Sequence, residues 1–299
     1  MKKARIWGTA LALLIVVAGI FYYTFNRTSV SSKIHISSNP WVGFTPFIYA
    51  QEKGWLEKTS FRFMWLVDLT DNARLYERGF TKGFTATQYE LLHFPHHENI
   101  KPVFLIDRSY GADAIVSNRS IEEIRQSQQT IEVYLEHGSL HDDFFEAFIQ
   151  ENHFEKVKFH QIDSSQKSIA TLIPTKEPMI ILSYEPYLSG LISEGFKEIC
   201  STRTLESFYV VDALFVDESV IKGREKEFAH LKEIFALGVE QFERDPHEYY
   251  ETVKGYLEGQ SYEEFMATTT QIQWLHDKTP REVIDHLASQ NIKTDKLLP

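Results

Sequence analysis

Cysteine is almost absent from this sequence, which contains a single one, Cys200, in 299 residues. One thiol excludes an intrachain disulfide and a metal site built from cysteines. It also excludes the class of small exported domains whose stability depends on several disulfides.

Positive charge is also scarce: 31 Lys and Arg stand against 42 Asp and Glu, a formal charge of −11. Beyond residue 27 there are 27 basic and 42 acidic residues, a charge of −15. Nucleic-acid binding depends on neutralising phosphates with Lys and Arg, so we expect no nucleic-acid partner. Hydrophobic residues make up 43% and aromatic residues 14%, enough for the core of one large or two modest domains.

Charged residues are missing altogether from residues 6–25, which follow three basic residues and precede Arg27. Twenty helical residues span about 30 Å, the thickness of a hydrocarbon core. The excess of basic residues before the span favours a cytoplasmic amino terminus. We therefore predict a retained signal anchor over residues 1–27, with the remainder outside the bacterial inner membrane. Cleavage near Ala18 is the alternative.

A polar turn lies at the centre of the pattern that follows. Two apolar runs of strand length, Val103–Ile106 and Ala114–Val116, flank the residues from Asp107 to Asp113. Strands that flank such a turn predict a sheet edge that presents polar groups. Ligands of open α/β sheets bind outside the strand ends, where connections change direction. A surface turn without function is the alternative.

Two helix starts could contribute to a site. Thr45 to Gly54 reads as a helix with Pro46 near its start, which places Trp41 and Phe44 on the preceding loop. A core tryptophan is an equal alternative for Trp41.

Ser139 precedes a predicted helix over residues 140–152, whose free N–H groups could hold a sulfonate, phosphate or carboxylate. A plain helix cap is the alternative, and Asp142 and Asp143 in the first turn would compete with an anion. Thr87 could cap another helix in the same way. The histidines of residues 93–97 do not share one helical face, so a surface loop is favoured over a metal site.

These segments resemble, in the same order, the motifs of the periplasmic solute-binding proteins of the nitrate/sulfonate/taurine and thiamine-precursor family. The matching segments are NPWVGF at 39–44, AQEKG at 50–54, DRSYGADAI at 107–115, EHGSLH at 136–141, SYEPY at 183–187 and FYVVDALFV at 208–216. Lys82 and Pro178 depart from the family pattern, which has Asp at both places.

The resemblance implies an α/β fold of the type II periplasmic-binding-protein class, with two lobes joined by two crossovers and preceded by one transmembrane helix. It places the first lobe at 28–116 and 212–299 and the second at 117–211. The helical tail is expected to pack on the first lobe, and the lobes to close on a ligand by a hinge.

The resemblance also places a ligand between the lobes. The implied ligand-binding residues are Trp41, Phe44, Thr87, Asp107, Ser109, Asp113, Ser139, Tyr184, Glu185 and Asp212. Aromatic faces and carboxylates stabilise a positive or polarised nitrogen, so an amine or heteroaromatic ligand is favoured over a sulfonate. Glu185 could instead stabilise the start of the following helix.

Three classes of function follow. The first is capture of a small organic solute for an ABC permease. The alternative is a membrane-anchored subunit that reports the solute to a membrane signalling protein. An enzyme is least favoured, because the pyrimidine-synthesising branch of the superfamily uses a Cys-rich motif, and no nucleophile–base pair is recognisable. No cofactor or metal is expected.

Overall fold

The computed structural model describes residues 33–67, 69–94, 97–205, 207–277 and 279–298. The predicted anchor at 1–27 lies outside these residues. Within them, no helix has the length and apolar character needed to cross a membrane.

Short apolar runs bounded by turn residues form the strands. In chain order these are β1 (Ile34–Ser38), β2 (Phe61–Trp65), β3 (Gly83–Thr87), β4 (Ile100–Ser109), β5 (Asp113–Ser117), β6 (Ile131–Leu135), β7 (Phe159–Asp163), β8 (Met179–Tyr184), β9 (Lys197–Ser201), β10 (Val211–Asp217) and β11 (Ile272–Trp274).

Amphipathic segments form the helices between and after the strands. They are α1 (Thr45–Glu52), α2 (Leu69–Glu77), α3 (Gln88–His93), α4 (Ile121–Gln126), α5 (Leu140–Asn152), α6 (Gln166–Ile169), α7 (Tyr187–Ser193), α8 (Glu218–Ile221), α9 (Glu225–Arg244), α10 (Pro246–Val253), α11 (Tyr262–Thr269) and α12 (Arg281–Ser289), with short 3₁₀ turns at Val42–Phe44, His97–Asn99 and Lys254–Tyr256.

The strands form two mixed sheets. The first has the order β11-β4-β10-β3-β1-β2, and the second has the order β7-β6-β8-β5-β9. In the first sheet β10 runs antiparallel to both β3 and β4, while β1 and β3 are parallel. In the second, β5 is antiparallel to its neighbours and β6 is parallel to β7 and β8. We call the part built on the first sheet the first lobe, and the part built on the second sheet the second lobe.

The chain passes from the first sheet to the second between Ser109 and Asp113, and returns between Ser201 and Val211. The sequence places these changes after residues 116 and 211. The first falls earlier because β5, predicted as part of the first lobe, pairs with β8 and β9 of the second sheet. Strand β4 itself continues through Ser109, where its backbone pairs with β10 and β11. The polar turn is therefore only Tyr110–Ala112, with Gly111 at a φ of +116° that favours glycine.

The tail returns to the first lobe, as predicted. Helix α9 lies against α1 so closely that a Cβ on Gly238 would be 2.8 Å from the Cβ of Pro46. The tail is not entirely helical, however, because residues 272–274 form β11 on the free edge of β4. A three-residue segment is too short to show a strand period, and its pairing partner lies more than 160 residues earlier in the chain.

Each sheet has its own core. On one face of the first sheet, Phe84 and Phe215 pack with Val283 and Leu287 of α12. On its other face, the rings of Phe47, Phe104 and Phe235 contact one another. The second core joins β5 and β8 to α7. The two cores support sheet edges whose polar side chains meet between the lobes.

Candidate functional site

A row of polar side chains crosses the first sheet at the end nearest the second lobe. Asp212 on β10 is paired with Thr87 on β3 and with Asp107 on β4. Residues paired directly across antiparallel strands project to the same face. All three are buried, so the row forms the floor of an interface.

Asp107 holds the loop that carries Trp41. The indole Nε1 of Trp41 donates to both carboxylate oxygens of Asp107 at 3.2 Å. The loop lies so close that a Cβ on Gly43 would collide with this carboxylate. Trp274 of β11 fixes the loop from its other side, with Nε1 donating to the carbonyl of Gly43 at 3.0 Å. Trp41 is therefore anchored through its polar edge.

The ring of Trp41 reaches the second lobe. It meets the ring of Tyr184 edge-on, with centroids 5.9 Å apart. Tyr184 also contacts the ring of His141 at 6.0 Å. On the second sheet Tyr184 is the direct partner of Asp113. Tyr184 thus lies at the centre of a cluster that joins both lobes.

Three aspartates of this cluster are protonated more easily than usual. Burial raises the pKa of Asp113 to about 7, although a hydrogen bond involving Ser109 opposes the shift. Burial also raises the pKa of Asp107 and of Asp212, and the charge of Asp113 raises the pKa of both. Asp107 raises the pKa of Asp212 further, while the hydrogen bond between the two lowers that of Asp107. Because the carboxyl groups of Asp107 and Asp212 are hydrogen-bonded to each other, they share a proton at neutral pH.

Two carboxylate oxygens in the cluster accept no hydrogen bond from any residue that the structure describes: Oδ2 of Asp113 and Oδ2 of Asp212. Buried polar atoms in folded proteins nearly always have a partner. Among the described residues, the charged groups that most affect the pKa of these two acids are other acids and not lysines or arginines. These oxygens are thus suited to accept hydrogen bonds from a cationic or N–H-rich group.

Glu90, which was not predicted, occupies the helix start proposed as an anion site. Its Oε1 accepts from the backbone N–H of Leu140 at 2.6 Å, across the two lobes. Its Oε2 accepts from the backbone N–H of Thr87 at 2.8 Å. Ser139 caps the same helix through its hydroxyl, which accepts from the N–H of His141. A carboxylate of the protein therefore occupies the position where an anion would bind.

A second carboxylate makes the reciprocal contact. Oε1 of Glu136, in the second lobe, accepts from both the backbone N–H and the hydroxyl of Thr70 at 2.9 and 3.0 Å. Thr70 lies in the first turn of α2, in the first lobe. A negative charge at a helix start is stabilised by the helix dipole. Each lobe thus supplies a buried carboxylate to a helix start of the other.

The remaining predicted residues have internal roles. The Glu185 carboxylate accepts from the N–H and hydroxyl of Ser189 and from Nε2 of Gln260, so the structure favours the helix-stabilising alternative. Ser109 exchanges a hydrogen bond with Thr202 at the crossover. Phe44 is fully buried at the start of α1.

The structure thus brings six predicted site residues together: Trp41, Thr87, Asp107, Asp113, Tyr184 and Asp212. Sequence reasoning missed Glu90, Glu136 and His141 as members of the interface. Glu136 and His141 are the first and last residues of the segment EHGSLH, whose resemblance to the family is the sequence signal that pointed to them.

No group of three or more His, Cys, Asp or Glu within the described ranges is placed to hold a metal ion. Of the histidines at 93–97, His93 pairs with Asp143 across the lobes at 2.9 Å. His96 lies outside the described residues.

Comparison with known proteins identifies the fold. No family model matches the sequence, and no curated protein matches it. The ligand-binding component of an ABC-type import system from Staphylococcus aureus, with zinc bound, shares the fold at a TM-score of 0.65 and 12% identity, over 90% of this chain and 96% of that one. The alkanesulfonate-binding protein SsuA from Xanthomonas axonopodis pv. citri, bound to MOPS, gives a TM-score of 0.62 at 10% identity, over 87% and 94%.

The desulfurization enzyme DSZB is similar to the same extent, with a TM-score of 0.64 and 10% identity over 87% of this chain and 91% of that one. Identities this low establish the fold alone. The chain has the two-sheet α/β fold of periplasmic binding proteins, as the sequence predicts. Because one fold hosts different activities, function has to be argued from the site.

Proposed function

We propose that the chain is an extracytoplasmic solute-binding protein that captures a small organic solute between its lobes and presents it to an ABC permease. The main supporting observation is the pair of buried carboxylate oxygens without a donor, Asp113 Oδ2 in the second lobe and Asp212 Oδ2 in the first. A group that contacts both would hold the lobes together. Similarity to the binding component of an import system supports this role.

The chemistry of the site favours a cationic amine or protonated heteroaromatic solute. Trp41 and Tyr184 supply aromatic faces next to the acids, and aromatic faces attract cations. A sulfonate would be repelled by the negative charge of the site. Glu90 already occupies the start of α5, and three further acids lie close by. The solute class therefore differs from that of the alkanesulfonate-binding protein that shares the fold.

Thermal denaturation of the purified full-length chain in detergent tests this function. Amines, aminopyridines, alkanesulfonates and nitrate are compared at pH 8. A cationic ligand at a hundredfold excess over its Kd should stabilise the protein by about 2.7 kcal/mol, and the increment should grow with the logarithm of its concentration. Stabilisation by sulfonates or nitrate alone would reject the proposed solute class.

The anchor at 1–27 would keep the binding protein at the outer face of the inner membrane. Either a permease or a signalling protein could be its partner there, and both roles use the same ligand site. Amino-terminal sequencing of the mature protein tests the anchor: a start at Met1 agrees with it, and a start near Ile20 or later contradicts it.

A further inference from the structure

His141 is a buried histidine at the interface that the proposed function has not yet used. It is the second residue of α5 and has no exposed surface. Its ring lies 6.0 Å from that of Tyr184, which also contacts Trp41 of the first lobe. His141 therefore belongs to the same cluster as the unpartnered carboxylate oxygens.

The hydrogen bonds of His141 determine which ring nitrogen carries the proton. The backbone N–H of Glu136 points to Nδ1, at an N···N distance of 3.4 Å. A backbone N–H can only donate, so Nδ1 has to accept. The neutral ring must then carry its hydrogen on Nε2.

Gln166 supports the same tautomer. Its Nε2 lies 3.5 Å from Nδ1 of His141, while its Oε1 accepts from the hydroxyl of Ser183 at 2.9 Å. Ser183 thereby orients the amide so that a second N–H faces Nδ1. Burial lowers the pKa of His141 to about 3, so the ring stays neutral near pH 7.

Nε2 of His141, by contrast, has no hydrogen-bond partner within the described part of the chain, although it is fully buried. A buried N–H donor without an acceptor is rare in folded proteins, because removing it from water is unfavourable. Two unpartnered acceptors and one unpartnered donor thus lie in the network centred on Tyr184. Asp113 is the strand partner of Tyr184, and His141 contacts its ring. Asp212 is connected to Tyr184 through Asp107 and Trp41.

We propose that the Nε2–H of His141 binds the solute by donating to a hydrogen-bond acceptor on it. The inference rests on the proposed function and narrows the solute class. A simple alkyl or aryl ammonium ion offers only donors and leaves His141 unsatisfied. A solute that also has an unprotonated ring nitrogen or a carbonyl oxygen satisfies both the acids and the histidine. The geometry therefore favours an amino-substituted N-heteroaromatic compound over a plain amine.

Matched probes separate these two solute classes. The 3- and 4-(aminomethyl)pyridines and benzylamine have the same shape and ammonium group, but only the pyridines have a ring acceptor. Calorimetric titration of the full-length protein at pH 8 should show about tenfold tighter binding of at least one pyridine than of benzylamine, the effect of one additional hydrogen bond. Equal affinities for the pyridines and benzylamine would overturn the proposal while supporting the acids as a cation site. If none of the three binds, both the cation site and the role of His141 are rejected.

Two substitutions at position 141 isolate the donor. His141→Asn keeps an acceptor near Nδ1 for the N–H of Glu136 and removes the distal donor, so the preference for pyridine should disappear. His141→Gln places an amide donor close to Nε2 and should keep part of the preference. Equal preference in the wild type and His141→Asn would overturn the assignment.

A measurement on the ligand-free wild-type protein tests the same assignment and does not depend on whether the variants fold. Long-range ¹H–¹⁵N NMR of the wild-type protein should show His141 as the Nε2–H tautomer, with no protonation between pH 5 and 8. The exposed His160 serves as the internal reference for the signals of a solvent-accessible histidine. An Nδ1–H tautomer for His141 would reject the proposal whatever the probes show.

Discussion

Two sets of buried acids meet between the lobes, and they differ in how completely they are hydrogen-bonded. Both oxygens of Glu90 accept backbone N–H groups, one from each lobe. Asp113 and Asp212 each keep one oxygen without a donor. Burial raises the pKa of all three, so a shifted pKa does not separate them. Unused hydrogen-bonding capacity does separate them: an acid with both oxygens bonded holds the lobes together, and an acid with a free oxygen is available to a ligand.

The strongest test of this comparison is Glu90→Ala. The substitution leaves the N–H groups of Leu140 and Thr87 buried without acceptors, at a cost of about 1–3 kcal/mol each. We expect the free energy of unfolding to fall by about 3 kcal/mol in urea titrations. Glu77→Ala, at an exposed position of α2, is the control and should change it by less than about 0.5 kcal/mol. Equal stability of Glu90→Ala and wild type would show that the contact between lobes contributes nothing.

The opposite behaviour is expected of Asp212→Asn. Because this carboxyl group is buried without a cation, removing its charge should leave the ligand-free protein as stable as wild type, or more stable, at pH 8. Affinity for a cationic ligand should fall by about 1.5–3 kcal/mol, the value of a hydrogen bond to a charged group. Calorimetry measures both effects, with exposed Asp285→Asn as control. Loss of stability without loss of affinity would make Asp212 a structural residue like Glu90.

The stability of the wild-type protein at different pH values tests the protonation of these acids without mutation. Four buried acids hold their protons more tightly in the folded protein than in the unfolded chain. The pKa values of Asp113 and Glu185 are about 7. The pKa values of Asp107 and Asp212 are raised as well. A raised folded-state pKa gives stability at low pH that is lost as the pH rises through that value. The ligand-free protein should therefore become less stable between pH 5 and 8. Urea titrations at four pH values measure this, and a flat or rising profile would contradict the assigned protonation.

Over the same pH interval, affinity for a cationic ligand should increase, because the acids ionise and the ligand keeps its charge. The double variant Asp113→Asn with Asp212→Asn should lose most of the pH dependence of affinity. It should lose only part of the pH dependence of stability, because Asp107 and Glu185 remain. An unchanged pH slope of stability in that variant would assign the titration to other groups, such as the His93–Asp143 pair.

The smallest effect is expected of Trp41→Phe. Phenylalanine keeps a ring next to Tyr184 and removes the donor to Asp107, a loss of about 1 kcal/mol of stability. Trp274→Phe removes the hydrogen bond to the Gly43 carbonyl from the other side of the loop and should cost about the same. Thermal denaturation of the two variants and the wild type measures both losses of stability. A loss of several kcal/mol for Trp41→Phe alone would mean that its packing dominates its role.

Long periodic segments were the most predictable parts of the fold. The helix at 140–152 has the predicted bounds because it carries its own apolar face and is capped by Ser139. The extension of β4 through Asp107–Ser109 could not be predicted, because polar residues become strand there only through pairing with β10 and β11.

In the candidate site, too, contacts between residues that are distant in the chain could not be predicted. The residue types at positions 41, 107, 113, 184 and 212 were identified through family resemblance, and they do meet between the lobes. Glu90 was not identified, and of the family-like segment at 136–141 only Ser139 was assigned to the site. The partners of Glu90 and Glu136 lie in the other lobe, and the role of His141 depends on its tautomer. The Glu90–Leu140 and Thr70–Glu136 contacts join residues 50 and 66 positions apart, beyond any local pattern.

The position of β10 in the middle of the first sheet has a consequence for how the protein is made. Strands β3 and β4 are neighbours of β10 and not of each other, so the sheet lacks its central strand until residues 211–217 emerge from the ribosome. All five strands of the second sheet lie between residues 113 and 201 and emerge before that strand. At roughly 5–20 residues per second, β4 waits about 5–20 s for its partner. The lobe in the middle of the chain can thus be complete while the lobe that contains the beginning of the described chain is still unfinished.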